Sequence, residues 1–307
     1  MSATVGAADG TLRGRVAVIT GASSGLGREF ARAAAARGMR LVLADVEPVG
    51  LEQLRAELAA SVETIARIVD VADGAAVEAL AVAAYETFGA VHLLFNNAGV
   101  GTAGLIWENS ERDWQWTLGV NLWGVIHGMR IFVPRMLAAA QADPTFRARV
   151  VNTASMAGLV NPPTSGVYNV SKHAVVSLSE SLYHDLALVT EQVRCSVLCP
   201  FYVPTGIHDS NRNRPAALAN AEAATRSQLA ARALVEKAVT QGKVSAADVA
   251  RMTFDAIGAD RFYIVSHPQS LESVRVRGEE IVNLRNPTDP LALRPAVRDA
   301  LAAAIRE

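Results

Sequence analysis

Short apolar runs recur along this chain, and stretches of helical character separate them. "RVAVIT" (Arg15 to Thr20) comes first and "RLVLADV" second; "ETIARIVDV", "VHLLFNNAG", "RVVNTAS", "VRCSVLCP" and "RFYIV" follow in order. Such unalternated runs read as strands buried on both faces, which points to a parallel sheet. Right-handed crossovers between parallel strands then lead to a doubly wound α/β fold. The expected architecture is a seven-stranded parallel sheet with helices on both faces, followed by a C-terminal extension.

The 307 residues are 50% hydrophobic, enough for a large core, and no internal repeat or linker divides them. We read one domain over 1–307, with a core at about 12–266, a lid at about 201–242 and an extension at about 267–307. Two long helices are expected, over about Glu111 to Ala140 and about Gly166 to Thr190. The stretch "PFYVPTGIHDSNRNRP" follows a strand's carboxyl end and is rich in turn residues, so a mobile cover over a ligand crevice is expected there. The Ala-rich stretch from Pro215 to Gln241 reads as its helical continuation. Beyond His267 the spacing of Leu271, Val274, Ile281 and Leu284 predicts an amphipathic helix that gives way to Pro-punctuated coil.

Lys plus Arg number 29 against 30 for Asp plus Glu, a formal net charge of -1 with no basic block. Nucleic acid is therefore not an expected partner. The opening "MSATVGAADGTLRGR" lacks a signal peptide's apolar core, and no run of about 18 apolar residues offers a membrane span. A cytoplasmic protein without a membrane partner is the expectation. Cys195 and Cys199 stand four residues apart in one strand, roughly 13 Å, too far for a disulfide. The histidines and cysteines show no ligand spacing, so no metal is expected.

"TGASSGLG" (Thr20 to Gly27) follows the first strand and opens a helix. Glycines at 21, 25 and 27 let the backbone turn tightly, and a helix N-terminus offers free N–H groups to an anion. Gly21, Ser23, Ser24, Gly25, Leu26 and Gly27 form a candidate diphosphate cradle of Rossmann type. Asp45 ends the second strand, where a carboxylate accepts from both adenosine ribose hydroxyls and repels a 2′-phosphate. Neither Ser24 nor Val46 supplies a cation for that phosphate, so NAD(H) is expected over NADP(H). The plainer alternative for Asp45 is a turn acid before Pro48. Asp70, ending the third strand, and its neighbour Val71 are placed to hold the adenine.

"YNVSK" puts the Tyr168 phenol and the Lys172 ammonium one turn apart on a helical face. A phenol with its ordinary pKa of about 10 is a poor base at neutral pH, and a nearby cation favours the phenolate. Together with "TGASSGLG", "NNAG" (Asn96 to Gly99), Asn121 and Ser155, this segment resembles the short-chain dehydrogenases/reductases of the single-domain branch, with its Gly-x-x-x-Gly-x-Gly turn. The resemblance covers about Gly14 to Thr205 and the seventh strand.

The resemblance implies that Tyr168 is the acid/base, that Lys172 lowers its pKa and bonds the nicotinamide ribose, and that Ser155 holds the substrate oxygen. It assigns Asn121 a proton-relay and helix-shaping role. Asn97 steadies the central strand, and Ala98 and Gly99 line the adenosine ribose. Pro200, Val203 and Thr205 suit the nicotinamide carboxamide. The family's Pro-Gly-x-Val-x-Thr reads "PFYVPT" here, with Phe201 in place of glycine.

Met156, Leu159, Val160, Pro162, Phe201, Tyr202, Ile207 and His208 are the candidate pocket residues beside Ser155 and Tyr168. Most are apolar and no Arg or Lys obviously faces them, so a bulky, uncharged secondary alcohol or ketone is the expected substrate. The tail and the segment "GVNLWGVIHGMRIFVPRM" are similar to longer members of the family that act on bulky aryl alcohols. The alternatives are an NADP-preferring carbonyl reductase, an epimerase or dehydratase, and a non-catalytic NAD-sensing protein that would not need Ser155, Tyr168 and Lys172 together. Apolar long helices suggest a homodimer or homotetramer.

Overall fold

In the computed structural model, residues 12–292 and 294–306 are described; the opening segment read above for a signal peptide lies outside the described residues up to position 11. All seven expected strands form: β1 (Val16–Thr20), β2 (Arg40–Asp45), β3 (Thr64–Ile68), β4 (Leu93–Asn96), β5 (Ala148–Thr153), β6 (Val193–Cys199) and β7 (Tyr263–Val265). They make one sheet in the order β3-β2-β1-β4-β5-β6-β7, every pairing parallel.

The lack of alternation in β1 now has its cause. Val16 and Val18 enter one core with Val77, Leu80, Phe132, Met136 and Leu182. Ala17 and Ile19 enter the other with Phe30, Leu51, Leu54 and Val249. The helices that supply these side chains are α3 (Gly74–Phe88), α5 (Gly124–Ala142) and α6 (Gly166–Val189) on one face. On the other face lie α1 (Gly25–Ala36), α2 (Pro48–Ala59) and α8 (Ala246–Gly258). Chain order builds outward from β1 through β2 and β3, then returns to β1's other side at β4. Loops diverge at that reversal and leave a crevice beyond the strands' carboxyl ends.

Three expectations need correction, and one helix was not expected. The long helix from Glu111 is two helices, α4 (Glu111–Leu118) and α5, joined by a π-helical turn at Gly119–Trp123 that contains Asn121. The stretch after Pro215 is not continuously helical: α7 runs only from Arg226 to Thr240 and opens on a capping box between Thr225 and Gln228. Upstream, Asn220 turns its side chain to Asp113 and Arg214. As expected, α9 (Leu271–Val282) forms and gives way to a non-helical stretch over 283–292; a further helix that was not expected, α10 (Pro295–Arg306), follows it. Proline is well placed in a first helical turn, and "AVRDALAAAIR" is rich in strong helix formers. Last, β3 ends at Ile68, so Asp70 lies in the loop beyond it.

Leu271 and Ile281 of α9, and Leu284 beyond it, remain exposed, while Val274 packs on a third apolar cluster with Val175 and Cys199. Cys195 and Cys199 are buried free thiols, and burial pushes both up to about 12. Among the described residues no helix is long and apolar enough to cross a membrane.

Candidate active site

A cavity of about 1180 Å³ lies beyond the strands' carboxyl ends, bounded by the glycine turn, the loops after β4 and β5, the first part of α6, and the segment after β6. Its two halves differ in chemistry.

In the first half, the backbone of the turn is what the sequence demands. Gly21 has φ +68, and a side chain there would put its Cβ 2.7 Å from the Ala98 Cα. At Gly27 a Cβ would lie 2.0 Å from the Gly21 carbonyl oxygen, so this glycine lets α1 close on the turn and does not itself line the cavity. Gly21, Ser23, Ser24, Gly25 and Leu26 do line it. The N-cap of α1, Ser24, makes no side-chain capping bond, whereas Glu47, Asp73 and Ser110 cap α2, α3 and α4. First-turn N–H groups of α1 thus keep their capacity for an anion, and the residues present fit a dinucleotide's diphosphate.

Asp45 is nearly buried at the end of β2. Its Oδ2 accepts from the Ser23 N–H at 2.8 Å and its Oδ1 from the Glu47 N–H at 3.0 Å. It braces the turn, as the plainer reading has it, and it also lines the cavity with lone pairs to spare. Val46, Asp70 and Val71 line the same end. Asp70 Oδ1 accepts from the Ala72 N–H at 2.9 Å, and the His127 ring meets the Val71 carbonyl at 3.0 Å. Asn97 donates to the Thr20 carbonyl at 3.0 Å and accepts from Thr153 Oγ1 at 3.3 Å, which fastens β1, β4 and β5 together. Ala98 and Gly99 follow it along the wall.

In the second half, Ser155, Tyr168 and Lys172 share a wall. The Ser155 hydroxyl donates to the Pro200 carbonyl at 3.4 Å and accepts from the Ala157 N–H at 3.1 Å, and it stands near enough to Tyr168 to stabilise the phenolate. Lys172 is buried, donates from Nζ to the Thr153 carbonyl at 2.9 Å, and lies 5.7 Å from the centre of the Tyr168 ring. Burial pushes the Tyr168 phenol up to about 12; the neighbouring Ser155 hydroxyl opposes this, and the Tyr202 phenol adds to it. The expected depression of Tyr168 by Lys172 is thus not found among the protein's own groups, where desolvation dominates. Desolvation also pushes Lys172 down to about 8, which weakens the cation itself.

Asn121 does not line the cavity. It is fully buried behind it, with Oδ1 accepting from the Val100 N–H at 2.8 Å and Nδ2 donating to the Val100 carbonyl and to Ser171 Oγ, each at 3.0 Å. From the π-helical turn it thus clamps the backbone of Val100 in the loop after β4. Leu159 also turns away, into the cluster with Val175 and Cys199. Met156, Val160, Pro162, Pro200, Phe201, Tyr202, Val203, Thr205, Ile207 and His208 line the cavity as expected. The Phe201 and Tyr202 rings lie 4.5 Å apart, and His208 Nδ1 meets the Thr205 carbonyl at 3.1 Å.

The sequence reading missed the roof. It comes from α7, α9, residues 285–292 and Arg294, and it carries arginines, which corrects the expectation that none faces the pocket: Arg212, Arg214, Arg232, Arg277, Arg285 and Arg294 all border the cavity. In α7 the lining residues Gln228, Arg232, Val235 and Val239 make one helical stripe, a spacing visible in the sequence. The cover after β6 is tethered. Arg214 pairs with Asp113 of α4 at 2.6 Å, both side chains almost wholly buried, and stacks 5.0 Å from the Trp116 ring. The Gly101 N–H donates to Ser210 Oγ at 2.9 Å.

Comparison with known proteins identifies relatives of the whole chain. The family model for short chain dehydrogenases matches residues 15–216. A solved short chain dehydrogenase/reductase from Burkholderia phymatum, in complex with NAD, is 56% identical, superposes with a TM-score of 0.89, and covers 92% of this chain and 99% of its own. A 1-deoxy-11-beta-hydroxypentalenate dehydrogenase from Streptomyces exfoliatus is 33% identical over 291 residues, 93% of this chain and 96% of that protein. A CLA biosynthesis dehydrogenase/reductase from Lactiplantibacillus plantarum is 32% identical over 272 residues, 87% of this chain and 93% of that protein.

Proposed function

This chain belongs to the short-chain dehydrogenase/reductase family, and from that premise we propose that it interconverts a bulky secondary alcohol and its ketone with NAD(H) as the cofactor. The observation that carries the reading is that Ser155, Tyr168 and Lys172 share one wall of the cavity that the glycine turn also borders.

Tyr168 keeps its proton at neutral pH and gives it to the oxygen of a ketone; in the other direction it takes the proton of an alcohol. Ser155 holds that oxygen against the phenol, which fixes one of the two reacting partners. Lys172 spends one of its three donors on Thr153 and has two left for ribose hydroxyls. The turn, Asp45 and the Asn97–Gly99 segment hold the dinucleotide, whose nicotinamide supplies or accepts the hydride. Asn121 acts as a positioning residue through Val100 and Ser171. Met156, Val160, Phe201 and Tyr202 keep water from the reacting end and favour an apolar substrate body.

A panel of bulky secondary alcohols and ketones assayed with NAD(H) and NADP(H) in parallel tests this reading; no turnover with any pair would end it. The cofactor preference has its own test in Asp45→Asn, which keeps an oxygen for the Ser23 N–H and removes the charge. We expect the NAD-over-NADP ratio of kcat/KM to fall about 10- to 100-fold, the range for losing a hydrogen bond to a charged group. An unchanged ratio would take Asp45 out of cofactor selection.

A further inference from the structure

The roof poses a problem of unpaired charge. Of the six arginines that border the cavity, three are engaged: Arg212 with the Gly206 and Asp209 carbonyls, Arg214 with Asp113, and Arg285 with Glu279. Arg232 and Arg277 are partly buried, yet among the described residues neither side chain has a hydrogen-bond or ion-pair partner. The roof's carboxylates do not answer them. Glu272 pairs with Arg275, Glu280 accepts from Thr288, and Asp289 pairs with Arg298 at 2.6 Å.

Both arginines face the cavity for a helical reason. Arg232 sits between Gln228 and Val235 in the lining stripe of α7. Arg277 sits among Ser273, Val276 and Glu280 in the lining stripe of α9. None of their nitrogens is sealed from solvent, so both guanidinium groups hold all their donors open to the cavity. Arg294, at the end of the roof, adds positive charge on the same side, close enough to oppose the upward shift that burial gives the Tyr202 phenol.

We infer that Arg232 and Arg277 form a carboxylate-binding subsite in the roof of the cavity, so that the substrate is a secondary alcohol or ketone with an apolar body and an acidic far end. The inference rests on the oxidoreductase reading for the carbinol, but its own observation is the pair of unanswered arginines. A planar, bidentate fork matches a carboxylate better than a lone ammonium does. This replaces the uncharged substrate expected from the sequence.

The test is calorimetric, on the protein with bound NAD⁺, a pairing that cannot turn over a ketone. Benzoylpropionate, benzoylbutyrate and benzoylvalerate are each compared with their methyl esters. At least one acid is expected to bind about tenfold or more tighter than its ester. In the Arg232→Gln/Arg277→Gln double variant that ratio falls to about one, and the Lys variants restore part of it. Equal affinity of acid and ester at all three lengths, or a ratio that survives the double Gln substitution, would overturn the subsite. Acid-over-ester binding without NAD-linked turnover of any corresponding alcohol would support the subsite and count against the oxidoreductase reading instead.

Discussion

Tyr168→Phe is expected to lower kcat by about a thousandfold or more, because it removes the one group that moves a proton to or from the substrate oxygen. The ring stays, so the wall of the cavity stays, and dinucleotide affinity measured by fluorescence titration should change by no more than about threefold. Turnover within tenfold of the native protein would defeat the assignment. The pH profile gives a second reading of the same group. With the phenol held up by burial, its proton is present at neutral pH and lost only on the alkaline side. Ketone reduction therefore has its acid in place at neutral pH, and alcohol oxidation should rise with pH as the phenolate forms. An oxidation rate that falls from neutral to alkaline pH, with the protein still folded, would contradict this. The Phe variant should lose the rise.

Gly27→Ala is the second large effect. An added Cβ would lie 2.0 Å from the Gly21 carbonyl oxygen and 2.7 Å from Asn97 Nδ2. The first is backbone and cannot yield without moving the turn away from α1. Overpacking of this kind costs about 1–3 kcal/mol in stability, and the displaced cradle should lose about a hundredfold or more in NAD(H) affinity. Gly89→Ala is the contrasting case. Gly89 closes α3 at φ +77, and nothing lies within 4 Å of its added Cβ, so only the backbone preference is lost, about 1–2 kcal/mol with cofactor affinity kept. If Gly27→Ala binds NAD(H) like the native protein, the turn is not the diphosphate cradle.

Strands β1, β2, β4, β5 and β6 were legible because they are covered on both faces, and the resulting apolar runs cannot be mistaken for half-exposed sheet. Tyr168 and Lys172 were legible because one helical turn fixes their relation whatever surrounds them. Their electrostatics were not. Whether the ammonium or the desolvation governs the phenol depends on how deeply both are buried, and pattern alone carries no depth. Asn121 shows a related limit: its clamp is the backbone of Val100, 21 residues away, and only the fold brings the two together. The roof escaped for the same reason. Arg232 stands in a visible stripe, but nothing in α7 says that the stripe overlies the crevice, or that α9 from the far end of the chain completes it. α10 is a different case, since Pro295 and the alanines after it were signal enough.

The ion pair of Arg214 and Asp113 has a consequence for traffic. Swinging the 206–213 segment outward would pull the guanidinium from a carboxylate sealed beside Trp116, a loss on the order of 3–5 kcal/mol for a buried pair. That segment behaves as a bolted shutter, joined to the helix that runs on to Asn121. Removing the pair with Arg214→Met should therefore loosen the segment, and an unchanged rate of proteolysis within 206–213 would show that the bolt is not what holds it.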